Sequence, residues 1–368
     1  MFEQSGRRRV AADKLKVIRI RLAQPSALNV ALYTVCTAVY VSRVAMQICI
    51  VPKGVRTVIV YRELNSLEKD LGFSSRTLYA VSNNIGKHYK TVLIPKRDGG
   101  VRKLSVPDEI LKKIQRRIAE VILSTEPVSK HAMAYRYGSS VQKNAAPHVG
   151  AEKVMKLDIL HFFDSVYYST VKEKVFTAER FSEPIRVLLT MLCYYKDALP
   201  QGAPTSPAIT NIIMRDFDEM AWAWCIERGI RYTRYCDDMT FSGDFDENEV
   251  ECFVRGELRA YGFVINRKKT AVITSDKRQT VTGIVVNEKL NVSSDYRRKL
   301  RQEIYYCKKF GVSEHLKRVG RRDDVEYLQS LLGKIAFVLQ TRRGDSEFAE
   351  YKAWVSDELK KARGKDNG

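Results

Sequence analysis

The sequence predicts an α+β fold, in which a core of short strands and helices is followed by a basic, helical C-terminal region. Three observations support this prediction. Between residues 64 and 292, segments with apolar residues three or four apart alternate with short segments in which apolar and polar residues alternate. A hairpin signal spans residues 229–242. From residue 296 onward the pattern is helical.

The first third of the core is predicted to contain two helices, a basic hairpin and a long helix. Residues 64–85 have helical spacing, and Ser74 or Ser75 is suited to cap a second helix within them. Two strands follow at 89–94 and 101–106, joined by a basic turn at 96–100, and then a helix at 109–124. No structure is assigned to residues 1–60. The apolar stretch 27–42 within them ends at Arg43, short of the ~20 residues that a membrane span needs.

The remaining elements are predicted from the same periodicities. An apolar strand at 154–159 contains Asp158 near its end, and a strand at 278–286 is expected to pair with 289–292 around an Asn287-Glu288 turn. The predicted helices are 164–180, 184–195, 206–228 and 247–261, with a strand at 270–274 and further helices from 296. The charged tail 360–368 is predicted to be disordered.

The charge of the chain indicates a polyanionic partner. Lys and Arg number 63 against 43 acids, which gives a net charge of +20 over 368 residues. Nucleic acid is the first candidate, and a soluble protein that is merely basic is the alternative. The seven cysteines are scattered, with no zinc-like spacing, and are predicted to be buried thiols in a reducing cytoplasm. They are Cys36, Cys49, Cys193, Cys225, Cys236, Cys252 and Cys307.

An Asp-Asp pair in the predicted hairpin is the strongest chemical signal. In Tyr235-Cys236-Asp237-Asp238, strand-forming residues flank two acids that are expected at the hairpin tip. Two like charges held side by side are costly unless a cation binds between them. Asp158 alone could equally be a helix cap or a surface charge. Together, the three carboxylates would suit two Mg²⁺ ions, with the carbonyl of Ile159 as a further ligand, and would support metal-assisted phosphoryl chemistry.

A rigid loop lies between these acids in the sequence. Residues 199–207 read Leu-Pro-Gln-Gly-Ala-Pro-Thr-Ser-Pro and lead into a predicted helix. Gly202 permits close approach of the backbone to another group, and Pro207 suits a first helical turn. The loop is either an ordinary helix entry or a surface that faces a substrate through Gln201.

Taken in order, Asp158, the 199–207 loop and Tyr235-Cys-Asp-Asp238 resemble the palm of reverse transcriptases. Asn144-Ala-Ala-Pro-His148 and Val281-Thr-Gly283 resemble two elements of bacterial retron reverse transcriptases. The resemblance covers about residues 64–339. It implies a right-hand polymerase fold with fingers, an antiparallel palm sheet and a helical thumb. The implied domains are fingers with N-terminal helices at 61–150, palm with part of the fingers at 151–286, and thumb, RNA-binding region and tail at 287–368. Residues 1–60 stay outside it.

The resemblance also implies roles for individual residues. Asp158, Asp237 and Asp238 would be catalytic and would hold two Mg²⁺ ions with Ile159. Phe163 would exclude the ribose 2′-hydroxyl, and Lys269 would protonate pyrophosphate, with Lys268 as an open alternative. The residues expected to bind the nucleotide are Lys96, Arg97, Arg102, Phe163, Gln201 and Lys269.

RNA binding is expected at the two retron-like elements and along the thumb. From 297 to 322 there are ten Lys or Arg and two Glu, interleaved with Tyr305, Tyr306 and Phe310. Cations with aromatics among them suit structured RNA and its hybrid, although a solvated helix face is the alternative. The residues expected to bind RNA are Asn144, His148, Val281, Thr282, Gly283, Arg297, Arg298, Arg301, Lys308, Lys309, Lys317, Arg318, Arg321 and Arg322.

The resemblance implies a cytoplasmic RNA-directed DNA polymerase. It would bind its own structured noncoding RNA, prime from a 2′-hydroxyl in that RNA, and use dNTPs to make a branched, RNA-linked single-stranded DNA. A host RNase H would trim the template, and an effector protein would act with the enzyme in anti-phage defence. The alternatives are a group II intron-like reverse transcriptase and a mainly structural RNA–DNA scaffold that holds an effector. No association with a membrane is expected.

Overall fold

The computed structural model describes residues 60–95, 99–320 and 323–366. Nearly all of the predicted N-terminal region, residues 1–60, lies outside these ranges, as do Cys36, Cys49 and the apolar stretch 27–42. The mixed helix and strand content confirms the predicted α+β class. None of the helices in the described part of the chain has the length and apolarity that a membrane crossing requires.

Two short helices and a hairpin begin the described chain. Helix α1 (Leu64–Leu71) ends at Gly72, whose φ of 75° suits a left-handed helix terminus. Helix α2 (Ser75–Asn83) begins with the predicted cap, because the Thr77 amide donates to Ser74 Oγ at 3.2 Å. Strands β1 (Tyr89–Pro95) and β2 (Val101–Pro107) form the predicted antiparallel hairpin.

Helix α3 (Glu109–Val121) follows the hairpin. The Leu111 amide donates to Asp108 Oδ1 at 3.0 Å, which caps the helix at its predicted start, residue 109. The buried face of α3 contains Leu111, Ile114 and Ile118, which join the main core. The main core also includes apolar residues of the central sheet.

That central sheet is antiparallel and has the strand order β4-β5-β3-β6. Its strands are β3 (Lys153–Asp158), β4 (Arg231–Tyr235), β5 (Asp238–Gly243) and β6 (Ala271–Thr274). Side chains alternate between the two faces of a strand. Met155 and Leu157 belong to the main helical core, whereas Val154 belongs to a separate small cluster with Val281 and Ile284. Asp158 therefore shares the face of Val154, opposite the main core.

The helices around the sheet differ in extent from the predictions. They are α4 (Val141–Ala145), α5 (Tyr168–Lys174), α6 (Glu183–Cys193), α7 (Ser206–Ile213), α8 (Arg215–Ile226) and α9 (Glu247–Arg259). Of the predicted helix 164–180 only α5 is present, and at its predicted end the Arg180 carbonyl instead accepts from the Tyr61 amide at 2.7 Å. The predicted helix 206–228 is two helices, separated at Met214, which has a ψ of 0°.

The predicted strand 278–286 was also wrong in its main pairing. Strands β7 (Thr280–Val281) and β8 (Ile284–Val285) pair with each other across a turn at Thr282 and Gly283, both of which have positive φ. Of the expected pairing with 289–292, the Val285–Asn291 bridge is present. A positive φ on Thr is rare, and the local sequence did not indicate it.

The C-terminal region is helical and has its own core. Helices α10 (Ser294–Phe310), α11 (Val312–Arg318), α12 (Asp324–Thr341) and α13 (Ser346–Asp366) pack around Leu300, Leu331 and Phe348. The predicted disorder of 360–368 was wrong up to residue 366, since α13 continues that far. The domain boundaries at 150 and 286 stay predictions.

Candidate active site

Three carboxylates meet at one end of the central sheet. Asp158 is the last residue of β3, Asp238 is the first residue of β5, and the two are direct partners in the antiparallel register. Asp237 lies in the turn that joins β4 to β5. One oxygen from each of the three lies within 4.8 Å of the other two. Oxygen ligands at this spacing suit a hard divalent cation, so the residues fit the predicted metal site.

The turn at the hairpin tip consists of Cys236 and Asp237. The prediction of both acids at the tip is therefore corrected for Asp238, which already pairs with Tyr235 as part of the β4–β5 ladder. Cys236 has a φ of 61°, a left-handed conformation that two-residue hairpin turns require and that non-glycine residues rarely adopt. The Ile159 amide donates to the Asp237 carbonyl at 3.1 Å. The backbone of Ile159, the predicted extra ligand, is thereby held beside the cluster.

Negative charge is concentrated at the cluster. Burial, together with the charges of Asp237 and Asp158, raises the pKa of Asp238 to about 6. Lys269 Nζ lies 2.7 Å from Asp158 Oδ1, and this hydrogen bond raises the pKa of Lys269 above its ordinary value. Within the described residues, Lys269 is the cation that forms an ion pair with the cluster, so the three acids keep a net negative charge that a divalent ion would neutralise.

Asn266 is a site residue that sequence reasoning missed. Its side-chain amide donates to Asp158 Oδ2 at 2.9 Å, and its backbone amide donates to the Asp158 carbonyl at 2.7 Å. Asn266 and Lys269 together occupy both oxygens of the Asp158 carboxylate and fix its orientation. Between the two lysines left open by the sequence, Lys269 makes this contact with Asp158. The only signal was the proximity of Asn266 to Lys269 in the sequence.

Two of the predicted nucleotide-binding residues lie on connected segments. The Leu199 amide donates to the Phe163 carbonyl at 3.1 Å, which ties the Gln201 loop to the segment after β3. The Ser105 amide donates to the Gln201 carbonyl at 2.9 Å, which ties the same loop to β2. A Cβ on Gly202 would approach the Ser105 carbonyl to 2.9 Å, so this contact requires glycine. Phe163 is partly exposed, whereas adjacent Phe162 is buried.

Arg102 lies exposed on β2, opposite Ile94 in the hairpin register. Its side chain is accessible for the predicted contact with a triphosphate. Lys96 and Arg97 lie outside the described residues.

A fully buried ion pair joins the β4–β5 hairpin to α8, and the sequence did not predict it. Arg234 on β4 donates from Nε and Nη2 to the two oxygens of Asp218 on α8, at 2.7 and 2.6 Å. The Tyr232 hydroxyl also donates to Asp218, at 2.8 Å. Arg234 Nη1 donates to the Cys236 carbonyl at 2.8 Å and thereby fixes the turn that contains Asp237. In the sequence, Arg234 and Asp218 resemble surface charges.

The Asn144–His148 element lies inside the protein. Both side chains are inaccessible to solvent. His148 Nδ1 and Nε2 lie 2.7 and 2.8 Å from the hydroxyl oxygens of Ser242 and Thr233, and Asn144 Nδ2 donates to Thr282 Oγ1 at 3.4 Å. Burial, and secondly the charge of Arg231, lowers the pKa of His148 to about 3. A contribution of these two side chains to RNA binding can only be indirect in this conformation.

In the Val281–Gly283 element, the turn residues are accessible to solvent and the first residue is not. Val281 is buried, Thr282 is partly exposed, and Gly283 is exposed. Thr282 Oγ1 donates to the Val141 carbonyl at 3.3 Å, so the turn is attached to α4.

Some of the predicted RNA-binding cations of the thumb instead join thumb helices. Arg297, whose side chain is 12% exposed, lies 2.7 Å from Asp345, and Arg301 Nη2 lies 2.7 Å from Glu347. These pairs attach α10 to the start of α13. Arg298 pairs with Asp295 at 2.7 Å and remains exposed.

Other thumb cations lie over aromatic rings. Lys308 lies 5.2 Å from the ring centre of Tyr351, and Lys309 lies 5.6 Å from that of Tyr305. Arg318 lies 4.2 Å from the ring centre of Phe310, and both Lys317 and Arg318 lie within 4 Å of Glu314. Arg321 and Arg322 lie outside the described residues.

The described cysteines are free thiols. Cys193, Cys225, Cys236 and Cys307 are buried as predicted, but Cys252 is exposed, because it lies on the solvent side of α9.

Comparisons with known proteins identify the family. Residues 94–313 match the family described as reverse transcriptase (RNA-dependent DNA polymerase). The chain is 36% identical over 273 residues to the Retron Mx65 reverse transcriptase of Myxococcus xanthus, covering 68% of this chain and 61% of that protein. It is 29% identical over 265 residues to the Retron Ec86 reverse transcriptase of Escherichia coli, covering 70% of this chain and 82% of that protein.

A solved structure shows a more distant likeness. The foamy viral protease-reverse transcriptase, solved in complex with double-stranded DNA, is 15% identical with a TM-score of 0.41, covering 74% of this chain and 43% of that one. The family match spans more than half of the chain, and the chain spans 61% of the length of the Mx65 protein. The chain therefore belongs to the reverse transcriptase family, within which it resembles the bacterial retron enzymes.

Proposed function

We propose that this protein is a retron-type RNA-directed DNA polymerase. It binds its own structured noncoding RNA, primes from a 2′-hydroxyl of that RNA, and extends the primer with dNTPs into a branched, RNA-linked single-stranded DNA. The observation that supports the chemistry most directly is the cluster of Asp158, Asp237 and Asp238, with ligand oxygens within 4.8 Å of one another. The retron assignment is supported by the similarity to the Mx65 and Ec86 proteins.

The acidic cluster would hold two Mg²⁺ ions. When bound, the ions lower the pKa of the attacking hydroxyl and neutralise charge on the leaving pyrophosphate. Asn266 and Lys269 hold the Asp158 carboxylate in one orientation. Lys269 remains protonated at its contact with Asp158, as a proton donor to pyrophosphate must be.

Substrate selection would fall to the residues around the loop at Gln201. Phe163 would block a 2′-hydroxyl by its bulk, and Arg102 would bind the triphosphate electrostatically. Lys96 and Arg97 are proposed to act with Arg102. The thumb cations, with Tyr305 and Tyr306 among them, would hold the RNA and its hybrid.

Cellular partners are proposed from the same family resemblance. They are a host RNase H that trims the template and an effector protein in an anti-phage defence system. The proposed location is the cytoplasm.

The test of the chemistry is a charge-removing double variant. Asp237→Asn with Asp238→Asn should abolish DNA synthesis and leave RNA affinity within about twofold, because the carboxylates are needed only where metal binds. The matched control is Asp244→Asn, an exposed aspartate just after β5 and outside the cluster. DNA synthesis at the normal rate by the double variant would exclude the assigned site.

The retron assignment has a separate test. Nucleic acid that copurifies with the expressed protein should contain single-stranded DNA joined to RNA through a 2′,5′ linkage. Treatment with a debranching enzyme should then shift its mobility on a denaturing gel. Linear DNA, unchanged by that treatment, would favour the group II intron-like alternative.

A further inference from the structure

A segment next to the catalytic hairpin extends the edge of the palm sheet. Ala132 forms a parallel bridge with Arg234 on β4, the Met133 amide donates to the Arg234 carbonyl at 2.7 Å, and the Arg234 amide donates to the His131 carbonyl at 2.9 Å. The chain at 131–133 therefore runs beside β4 toward the Asp237 turn. The residues that follow leave the sheet close to the acidic cluster.

The backbone at Tyr135 is held in a disfavoured conformation. Its φ is 57°, which is rare for a bulky side chain. Two hydrogen bonds fix the flanking residues: Asn211 Nδ2 donates to the Ala134 carbonyl at 2.9 Å, and Ser139 Oγ donates to the Met133 carbonyl at 2.7 Å. Strained residues that the surroundings hold in place concentrate at functional sites.

The Tyr135 side chain is exposed although it lies against the hairpin. It is 58% exposed, and nearby Tyr137 is fully exposed. Tyr135 lies beside Cys236, the residue that precedes Asp237, and burial together with the neighbouring thiol raises the pKa of the Tyr135 hydroxyl. An aromatic surface is thus presented to solvent one residue from a metal-binding carboxylate. More than half of the Tyr135 surface therefore stays accessible to a ligand beside the hairpin.

We propose that Tyr135 contacts the 3′-terminal nucleotide of the growing strand and positions its hydroxyl for attack. The inference rests on the proposed polymerase function, which requires that nucleotide to reach the acidic cluster. Phe163 and Gln201, the predicted contacts of the incoming nucleotide, belong to segments that are tied to each other and to β2. Tyr135 instead follows the segment that runs beside β4 toward the Asp237 turn, so the inference assigns it to the primer rather than to the incoming nucleotide. A base stacks well on an accessible tyrosine ring without sequence preference.

The test uses the full-length protein and a synthetic RNA template annealed to a DNA primer that ends in 2-aminopurine. Tyr135→Asn removes the ring but tolerates a positive φ, and Tyr135→Phe keeps the ring without the hydroxyl. Tyr135→Gly relaxes the backbone and serves if the Asn variant folds poorly. Tyr167→Asn is the matched control, since Tyr167 is exposed but packs against Gly262. Thermal melting verifies the folding of each variant.

In the wild-type protein, binding should change the emission of the terminal 2-aminopurine, and Tyr135→Asn should lose this change. The Kd for the primer–template should rise about 5- to 10-fold in Tyr135→Asn, the loss of one base–aromatic stack. Tyr135→Phe and Tyr167→Asn should stay within about twofold of wild type. The KM for dNTP, at saturating primer–template, should not change in any of them.

Three results would overturn the proposal. The first is that Tyr135→Asn changes neither the terminal 2-aminopurine signal nor the Kd. The second is that Tyr135→Asn loses only the signal of 2-aminopurine placed in the template opposite the incoming nucleotide. The third is that Tyr135→Asn raises the KM for dNTP. Binding is measured without dNTP, so it is independent of catalysis. A wild-type protein that binds the primer–template but never extends it would contradict the polymerase function, and the terminal signal would still decide the role of Tyr135.

Discussion

The buried pair of Arg234 and Asp218 yields the most quantitative prediction. Both side chains are fully buried, and the two are joined by hydrogen bonds of 2.6 and 2.7 Å. Asp218→Asn removes the negative charge and leaves the guanidinium buried without a counterion. The new amide group also places N–H donors where Arg234 already donates. Breaking such a pair from one side typically costs about 3–5 kcal/mol. We expect the free energy of unfolding of the palm to fall by this amount.

Tryptophan fluorescence during urea unfolding can measure this loss locally. The chain has three tryptophans, so Trp354→Phe leaves only Trp222 and Trp224, both on α8 together with Asp218. The matched control is Asp216→Asn on the same helix, which breaks an exposed pair with Arg215. That change should cost less than about 1 kcal/mol, because exposed pairs contribute little. If the loss of unfolding free energy in Asp218→Asn were within about 1 kcal/mol of the loss in this control, the buried pair would not have the proposed effect on stability.

A compensating triple variant separates stability from activity. Asp218→Leu with Arg234→Met removes both charges, and Tyr232→Phe removes the buried hydroxyl that would otherwise lose its acceptor. Well-packed apolar replacements of a buried pair are often neutral in stability. The same change removes the donor to the Cys236 carbonyl, which fixes the turn at Asp237. We therefore expect the palm to regain most of its stability while DNA synthesis stays low. Recovery of both together would show that the pair does not position the catalytic turn.

Three further predictions concern single residues. The pKa of His148 is about 3 in the folded protein and ordinarily about 6.5, so the unfolded chain takes up a proton at this residue below pH 6.5 and the folded protein does not. The free energy of unfolding should therefore fall by about 1.4 kcal/mol per pH unit below pH 6.5. Between pH 8 and pH 5, urea unfolding should show a fall that is about 2 kcal/mol smaller in His148→Gln than in wild type. Phe163→Ala should reduce discrimination against ribonucleotides about 10-fold or more, measured as the ratio of kcat/KM for dNTP and rNTP, and unchanged discrimination would exclude Phe163 as the barrier. Lys269→Met should slow single-turnover synthesis about 100-fold, whereas Lys268→Met should not, and equal effects would reject the assignment of Lys269.

The sequence predicted the elements whose signals are local. The β1–β2 hairpin, the capped helices α2 and α3, and the Asp-Asp hairpin all follow from turn residues, caps and periodicity within a short window. The errors lie where a distant residue decides the local structure. At the end of the predicted helix 164–180, Arg180 and Phe181 instead pair with Tyr61, more than a hundred positions earlier. The spacing of apolar residues within a short segment does not indicate such a distant contact.

The same division applies to the candidate site. The proximity of Asp158, Asp237 and Asp238 was predicted, because a strand end and a hairpin turn place acids at one end of a sheet. Asn266 and Asp218 were not, since a polar residue with a buried partner has the same local sequence signature as one in water. Whether a polar residue is buried, and which residue it pairs with, depends on the tertiary fold and cannot be inferred from its neighbours in the sequence.

The two missed contacts explain how the protein can hold an acidic cluster together. Carboxylates within 4.8 Å repel one another, and this repulsion adds to the effect of burial in raising the pKa of Asp238. A flexible hairpin would relieve it by moving Asp237 away. Here Arg234 fixes the Cys236 carbonyl from inside the core, while Asn266 and Lys269 fix both oxygens of Asp158 from the opposite side. The repulsion would therefore persist until a cation binds, and the affinity of the proposed site for divalent ions would depend on the rigidity of residues that are not among its expected ligands.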